Sequence, residues 1–277
     1  MTKFGTAAVA GSTRAFRVEG EAVALLPAAD VGELLRSPAL RDARGEPAAA
    51  PAPQELRPPV LKPGKVVCVG LNYRDHAREV GKSVPAYPTL FAKYPSAFVG
   101  ASEPIRLPRA DVSDRVDWEA ELVLVIGTTV FEADAEQAAA AIFGYTAMND
   151  VSMRDWQRRT EEWLQGKNFE RSTPIGPVVV TADELSLDGG LDVDSWVGDR
   201  RVQSGSTDDL IFRPVEIVQY ITQFMSLEPG DLIATGTPAG VGVSRTPAEF
   251  LEEGDILTTR ITGIGELRNR CVREVSR

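Results

Sequence analysis

Short apolar runs of strand composition recur along the chain at residues 66–69, 122–126, 178–181, 232–235 and 257–262, with weaker ones at 7–9 and 22–26. Helical spacing of apolar positions is less frequent and predicts helices over 30–35, 133–142, 154–163 and 214–225. Strands and helices do not alternate regularly, and no phosphate-binding or dinucleotide glycine motif follows a strand. The pattern predicts a mixed α+β fold rather than a doubly wound parallel sheet. Residues 46–63, EPAAAPAPQELRPPVLKP, interrupt it. Repeated proline removes amide donors and favours extended backbone, so this stretch reads as a connector between a small N-terminal unit (1–62) and a larger one (63–277).

Within the run Trp118-Glu-Ala-Glu-Leu-Val-Leu-Val-Ile-Gly127, Glu119 and Glu121 break an otherwise apolar strand. Side chains at i and i+2 of a strand project from one face, so both carboxylates point the same way, ahead of Val123 and Val125. Two anions beside a buried surface cost several kcal/mol unless a positive group lies between them. A hard divalent cation satisfies that need, and so does an exposed strand end whose glutamates pair with lysine or arginine.

Other positions carry chemistry only in combination. His76, the single histidine, lies in LNYRDHAREVG, where Asn72 is placed to cap a short helix and Gly81 to end it. On that helix His76 and Glu79 are i and i+3 neighbours, and a carboxylate holding one imidazole nitrogen leaves the other as a base; the alternative is a solvated helix with Glu79 on an arginine. The segment is polar, short and glycine-ended, which predicts weak anchoring around 72–84. Asp150 stands where an apolar stretch gives way to helix and reads locally as an N-cap, and Lys167 reads as a surface lysine. The loop TGTPAGVG (235–242) offers backbone amides and hydroxyls to an anion, or serves as a plain turn; lacking Gly-Lys-Ser/Thr, it is no nucleotide P-loop.

Composition narrows the partners. Forty acidic against thirty basic residues give a net charge of −10, which argues against nucleic acid. The two cysteines, Cys68 and Cys271, form no CxxC pair or disulfide framework, in keeping with a reducing cytoplasm. The absence of signal-peptide or membrane-length apolar runs adds the expectation of a soluble protein with no membrane partner.

In order and spacing, the segments GLNYRDHAREVG, LFAKYPSAFVG, VDWEAELVLVIG, GYTAMNDVSMRDWQ, GKNFERSTPIGP, SGSTDDLIFRP and LEPGDLIATGTPAGVG resemble the fumarylacetoacetate hydrolase family from Lys65 onward. Residues 1–62 are similar to the short N-terminal domain of many prokaryotic members. The resemblance implies a mixed β-roll, usually a homodimer, with Glu119, Glu121 and Asp150 holding Mg²⁺ or Mn²⁺, Ca²⁺ being a further candidate. It implies that His76 and Glu79 activate water within a segment that orders over ligand, and that Lys167 contacts a substrate oxygen beside the metal. Gly236 and Thr237 would hold a substrate carboxylate or carbonyl, and Arg154 and Gln157 would contact substrate. The implied activity is hydrolysis of a carbon–carbon bond in a 1,3-diketo acid of acylpyruvate type, through a metal-bound enolate, in aromatic catabolism. Isomerisation of 2-hydroxymuconate-type dioates and decarboxylation of 2-oxo acids such as oxaloacetate use the same enolate and remain the alternative. A catalytically silent metal-binding scaffold is the remaining reading, and its signature, a broken dyad or lost lysine, is not seen.

Overall fold

The computed structural model describes residues 1–41 and 43–273. Strands dominate, and the fold is mixed α+β. The largest sheet runs in the order Glu46–Ala48, Ala22–Leu25, Ser12–Glu19, Thr2–Val9, Thr173–Thr181, Ile142–Asn149, Ala120–Ile126, Leu232–Ala234, Val66–Gly70, Thr89–Ala92. Hydrogen bonds between Thr2–Val9 and Thr173–Thr181 carry this sheet across residues 1–62 into the rest of the chain. A second sheet is ordered Arg200–Ser206, Asp192–Val197, Ile256–Ile261, Gly265–Arg273, Ile105–Leu107.

Ala120–Ile126 is buried at every position and has a core on each side. Leu122, Leu124 and Ile126 enter a cluster with Ile217, Ile221 and Leu267. Val123 and Val125 enter another with Leu34, Val66 and Met148. The period-2 alternation therefore sorts this strand between two apolar clusters, as expected for a strand covered on both faces. Among the described residues no helix is long and apolar enough to cross a membrane.

Several elements differ from the sequence expectations. The helix expected over 154–163 covers only Arg154–Gln157, and a second short helix, Leu164–Lys167, begins just beyond the expected span. They fold back on each other so closely that a Cβ on Gly166 would lie 2.5 Å from the Gln157 amide nitrogen. Asn72 does not cap the helix Arg74–Glu79; its buried amide donates to the carbonyls of Phe212 (3.0 Å) and Thr235 (2.8 Å) and accepts from the Phe212 amide (2.8 Å). Gly81 does close that helix, at φ +67°.

Asp30 caps Val31–Arg36 by accepting from the Glu33 amide (2.6 Å), and its other oxygen accepts from the Leu61 amide (2.7 Å). Losing both acceptors leaves two amides unpaired. Asp30→Ala is thus expected to lower the unfolding free energy by about 2 kcal/mol. A urea midpoint equal to wild type would contradict this.

Candidate active site

The strand register assembles the acidic group. Ala120 lies opposite Asn149 in the antiparallel ladder, so Asp150, one residue on, falls opposite Glu119, and its amide donates to the Glu119 carbonyl (2.7 Å). Facing residues of such a ladder share a side, so the i, i+2 pair gains a third carboxylate from the neighbouring strand. One oxygen from each of Glu119, Glu121 and Asp150 lies within 4.8 Å of the others, and all three residues are buried. The strands Leu232–Ala234 and Val66–Gly70 run parallel and end beside them, delivering the 235–242 loop and the histidine helix.

Three buried cations face the acids. Lys167 Nζ sits 2.5 Å from Glu119 Oε2 and 2.8 Å from Asp150 Oδ2. Arg154 binds Glu119 Oε1 at 2.7 Å and Asp117 Oδ2 at 2.8 Å, and Gln157 accepts from it at 2.9 Å. Lys93, which sequence reasoning missed, is 1% exposed and reaches Asp150 Oδ1 at 2.7 Å and the Lys167 carbonyl. Its signal was an isolated lysine just after the strand Thr89–Ala92, indistinguishable in sequence from a surface lysine.

These pairings are uneven. Burial alone would raise the Asp150 carboxyl, but Lys167 and Lys93 beside it bring it down to about 2. Glu121 makes no ion pair among the described residues; its partner is the Gly236 amide at 2.9 Å. Burial, together with Asp150 and Glu119, pushes the Glu121 carboxyl well above the usual range. Four buried carboxylates, Asp117 included, thus oppose three cations, and the excess charge rests on Glu121. An all-oxygen, negatively charged, converging donor set fits a hard divalent cation held by Glu119, Glu121 and Asp150.

Glu119 and Glu121 line a cavity of about 70 Å³ with His76, Lys167, Arg154, Gln157 and Thr237, and Asp150 stands behind it on Lys167. His76 Nδ1 lies 2.9 Å from Glu79 Oε2, and Nε2 has no partner among the described residues. The histidine helix is fastened more firmly than its polar sequence suggests. Glu79 accepts from the Gly240 amide (2.8 Å), the Asp75 amide donates to Asp209 (2.7 Å), and Arg74 donates to the Leu210 carbonyl (2.6 Å). The loop amides expected to meet an anion meet the protein's own carboxylates: Gly236 binds Glu121, Gly240 binds Glu79 and Gly242 binds Asp117 (2.7 Å). Gly236 takes φ +97°, a backbone region open to glycine, to turn its amide onto Glu121. Thr237, 4% exposed, remains as the loop's hydroxyl at the cavity.

Every candidate site residue named from the sequence therefore lines one cavity or contacts a side chain that lines it. Residues 65–272 match the C-terminal fumarylacetoacetate (FAA) hydrolase family, and the chain belongs to that family. It is 43% identical over 216 residues to the mitochondrial oxaloacetate tautomerase FAHD2B of Bos taurus, covering 77% of this chain and 68% of the relative. The fold is similar to fumarylacetoacetate hydrolase from Exiguobacterium antarcticum (TM-score 0.88, 32% identity, 99% of this chain and 100% of that one). It is also similar to 2-hydroxyhepta-2,4-diene-1,7-dioate isomerase from Mycobacterium marinum (TM-score 0.78, 32% identity, 100% of both chains). The chain is thus an enzyme of a superfamily whose members use divalent metals, and its relatives include tautomerases and isomerases.

The uncompensated Glu121 yields a test on the metal-free protein. A carboxyl held above its usual 4.5 in the folded chain loses its proton first in the unfolded chain as pH rises, so folding loses stability upward from that pH. Glu121→Gln should therefore raise the melting temperature of metal-free protein at pH 7. Wild type at a hundredfold excess of Mg²⁺ or Mn²⁺ over Kd should gain about 2.7 kcal/mol. The variant should gain far less. Equal gains in both would contradict the assignment of Glu121 as a ligand.

Proposed function

We propose that the protein is a divalent-cation-dependent enzyme that interconverts keto and enol forms of a short 2-oxo dicarboxylic acid of the oxaloacetate type. The observation that carries this reading is the placement of one partner-held imidazole, His76, on the same small cavity as Glu119, Glu121 and Lys167, with Asp150 converging on the two glutamates. About 70 Å³ is well below the roughly 300 Å³ at which pockets for larger ligands begin, which favours a substrate of a few carbons. The 43% identity to an oxaloacetate tautomerase supports the same choice over hydrolysis.

A cation bound by Glu119, Glu121 and Asp150 supplies Lewis acidity toward the 2-oxo group. Lys167 places an ammonium against Glu119 and Asp150, where it favours negative charge on an adjacent substrate oxygen. Burial would lower its pKa, but those two carboxylates raise it, so it stays charged at neutral pH. Glu79 fixes the His76 ring through Nδ1, leaving Nε2 to take a proton from C3 as the C–H electron pair becomes the C2–C3 double bond and negative charge passes to the C2 oxygen. Return of that proton from Nε2 to the C2 oxygen completes the keto-to-enol change and restores the neutral imidazole. Arg154, which lines this cavity and has one buried guanidinium nitrogen without a partner among the described residues, and Gln157 hold the distal carboxylate.

A second reading, hydrolysis of an acylpyruvate, uses the same dyad to deprotonate water instead of carbon. His76→Ala is expected to slow oxaloacetate enol-to-keto conversion, followed by loss of enol absorbance, by about 10²–10⁴-fold with Mg²⁺ affinity unchanged. Acetylpyruvate should remain intact. Brisk release of acetate and pyruvate from it, with no acceleration of tautomerisation, would replace the proposal by the hydrolytic reading.

A further inference from the structure

Gln203 belongs to the strand Arg200–Ser206 of the smaller sheet, is 1% exposed, and does not line the cavity. Its side chain nevertheless joins two parts of the site. Gln203 Oε1 accepts from the Ala120 amide (2.9 Å), the residue between Glu119 and Glu121. Gln203 Nε2 donates to the Pro238 carbonyl (2.9 Å) and to Thr237 Oγ1 (2.7 Å). The close approach that makes this possible is visible at Gly240, at φ +108°, where a Cβ would lie 2.3 Å from the Val202 carbonyl oxygen.

The amide cannot be reversed. A backbone N–H only donates and a carbonyl only accepts, so Ala120 and Pro238 together assign Oε1 and Nε2. With Nε2 donating to it, Thr237 Oγ1 is an acceptor on that side. Its own hydrogen has no acceptor among the described residues, although the residue is 4% exposed and lines the cavity.

We propose that Gln203 is a positioning residue that fixes Thr237 as a hydrogen-bond donor toward the cavity, so that this position selects an anionic or carbonyl oxygen and rejects a hydroxyl that must itself donate. This rests on the reading of the cavity as a 2-oxo acid site. A water or substrate hydroxyl has to share donors and acceptors, whereas a carboxylate oxygen only accepts, and Gln203 makes Thr237 complementary to the second kind. Replacing Gln203 frees the Thr237 hydroxyl to turn toward the Pro238 carbonyl that the amide had occupied.

The test is calorimetric titration of Mg²⁺-saturated protein with oxalate, using Gln203→Met, Thr237→Val and the double variant. Each single change should weaken oxalate about tenfold, the equivalent of 1.4 kcal/mol for a lost donor to an anion. The double variant should be no weaker than the weaker single, because Gln203 acts through Thr237. Losses that multiply to about a hundredfold, or unchanged affinity in Gln203→Met, would overturn the inference. Failure of the unaltered protein to bind oxalate would instead sink the substrate reading on which it rests. Neutron diffraction of the unaltered, deuterated protein with oxalate needs no variant and gives a second readout. Deuterium on Thr237 Oγ1 should point at the oxalate oxygen; deuterium directed at Gln203 or Pro238 would overturn the proposal.

Discussion

An excess of buried negative charge at one end of the central strand is the constraint on which the rest of the site depends. Glu119, Glu121 and Asp150 converge within 4.8 Å, and Asp117 stands behind them. Charges so placed are costly to remove from water, and each needs a specific partner. Lys167, Lys93 and Arg154 meet that need for Asp150, Glu119 and Asp117 but, among the described residues, leave Glu121 with a single backbone amide. The arrangement is thereby matched to one further positive group, and the geometry that would receive a divalent cation is the geometry that leaves one carboxylate unpaired.

The 235–242 loop is the complementary device. It gives four amides to four acidic side chains from three elements: Glu121 on the central strand, Asp75 and Glu79 on the histidine helix, and Asp117 just before the strand. One loop therefore ties the metal-ligand candidates to the general-base candidate. His76 is held at the cavity through Glu79 and Gly240. A polar fastening of this kind makes the position of the base depend on the same loop that orders the acids.

Much of this was legible in the chain. The period-2 spacing of Glu119 and Glu121 announces a shared face because strand geometry is local, and the i, i+3 spacing of His76 and Glu79 is equally local. Asp150 was not legible from spacing, since its place opposite Glu119 is set by the register of two strands. Lys93, Lys167 and Gln203 look like ordinary surface residues for the same reason: their burial comes from contacts far away in sequence. The resemblance to known motifs recovered Asp150 and Lys167 but not Lys93 or Gln203. Propensity misled at 154–163, where close contact between Gly166 and Gln157 replaces a continuous helix, and at Asn72, whose amide joins the loops around Phe212 and Thr235 instead of capping.

Function follows from how few polarities are left open on the cavity wall. Among the described residues, Nε2 of His76, one guanidinium nitrogen of Arg154 and the hydroxyl hydrogen of Thr237 have no partner, and each suits an oxygen-rich, anionic, proton-exchanging ligand. The central claim is that the Glu119–Glu121–Asp150 group is short of one cation. Crystals grown with Mn²⁺ and measured at its absorption edge test it most directly. The account predicts one anomalous peak per chain between those three carboxylates, with Lys167 Nζ moved off at least one of its two acidic partners. Absence of a peak there at saturating Mn²⁺, with Lys167 still bridging Glu119 and Asp150, would contradict it.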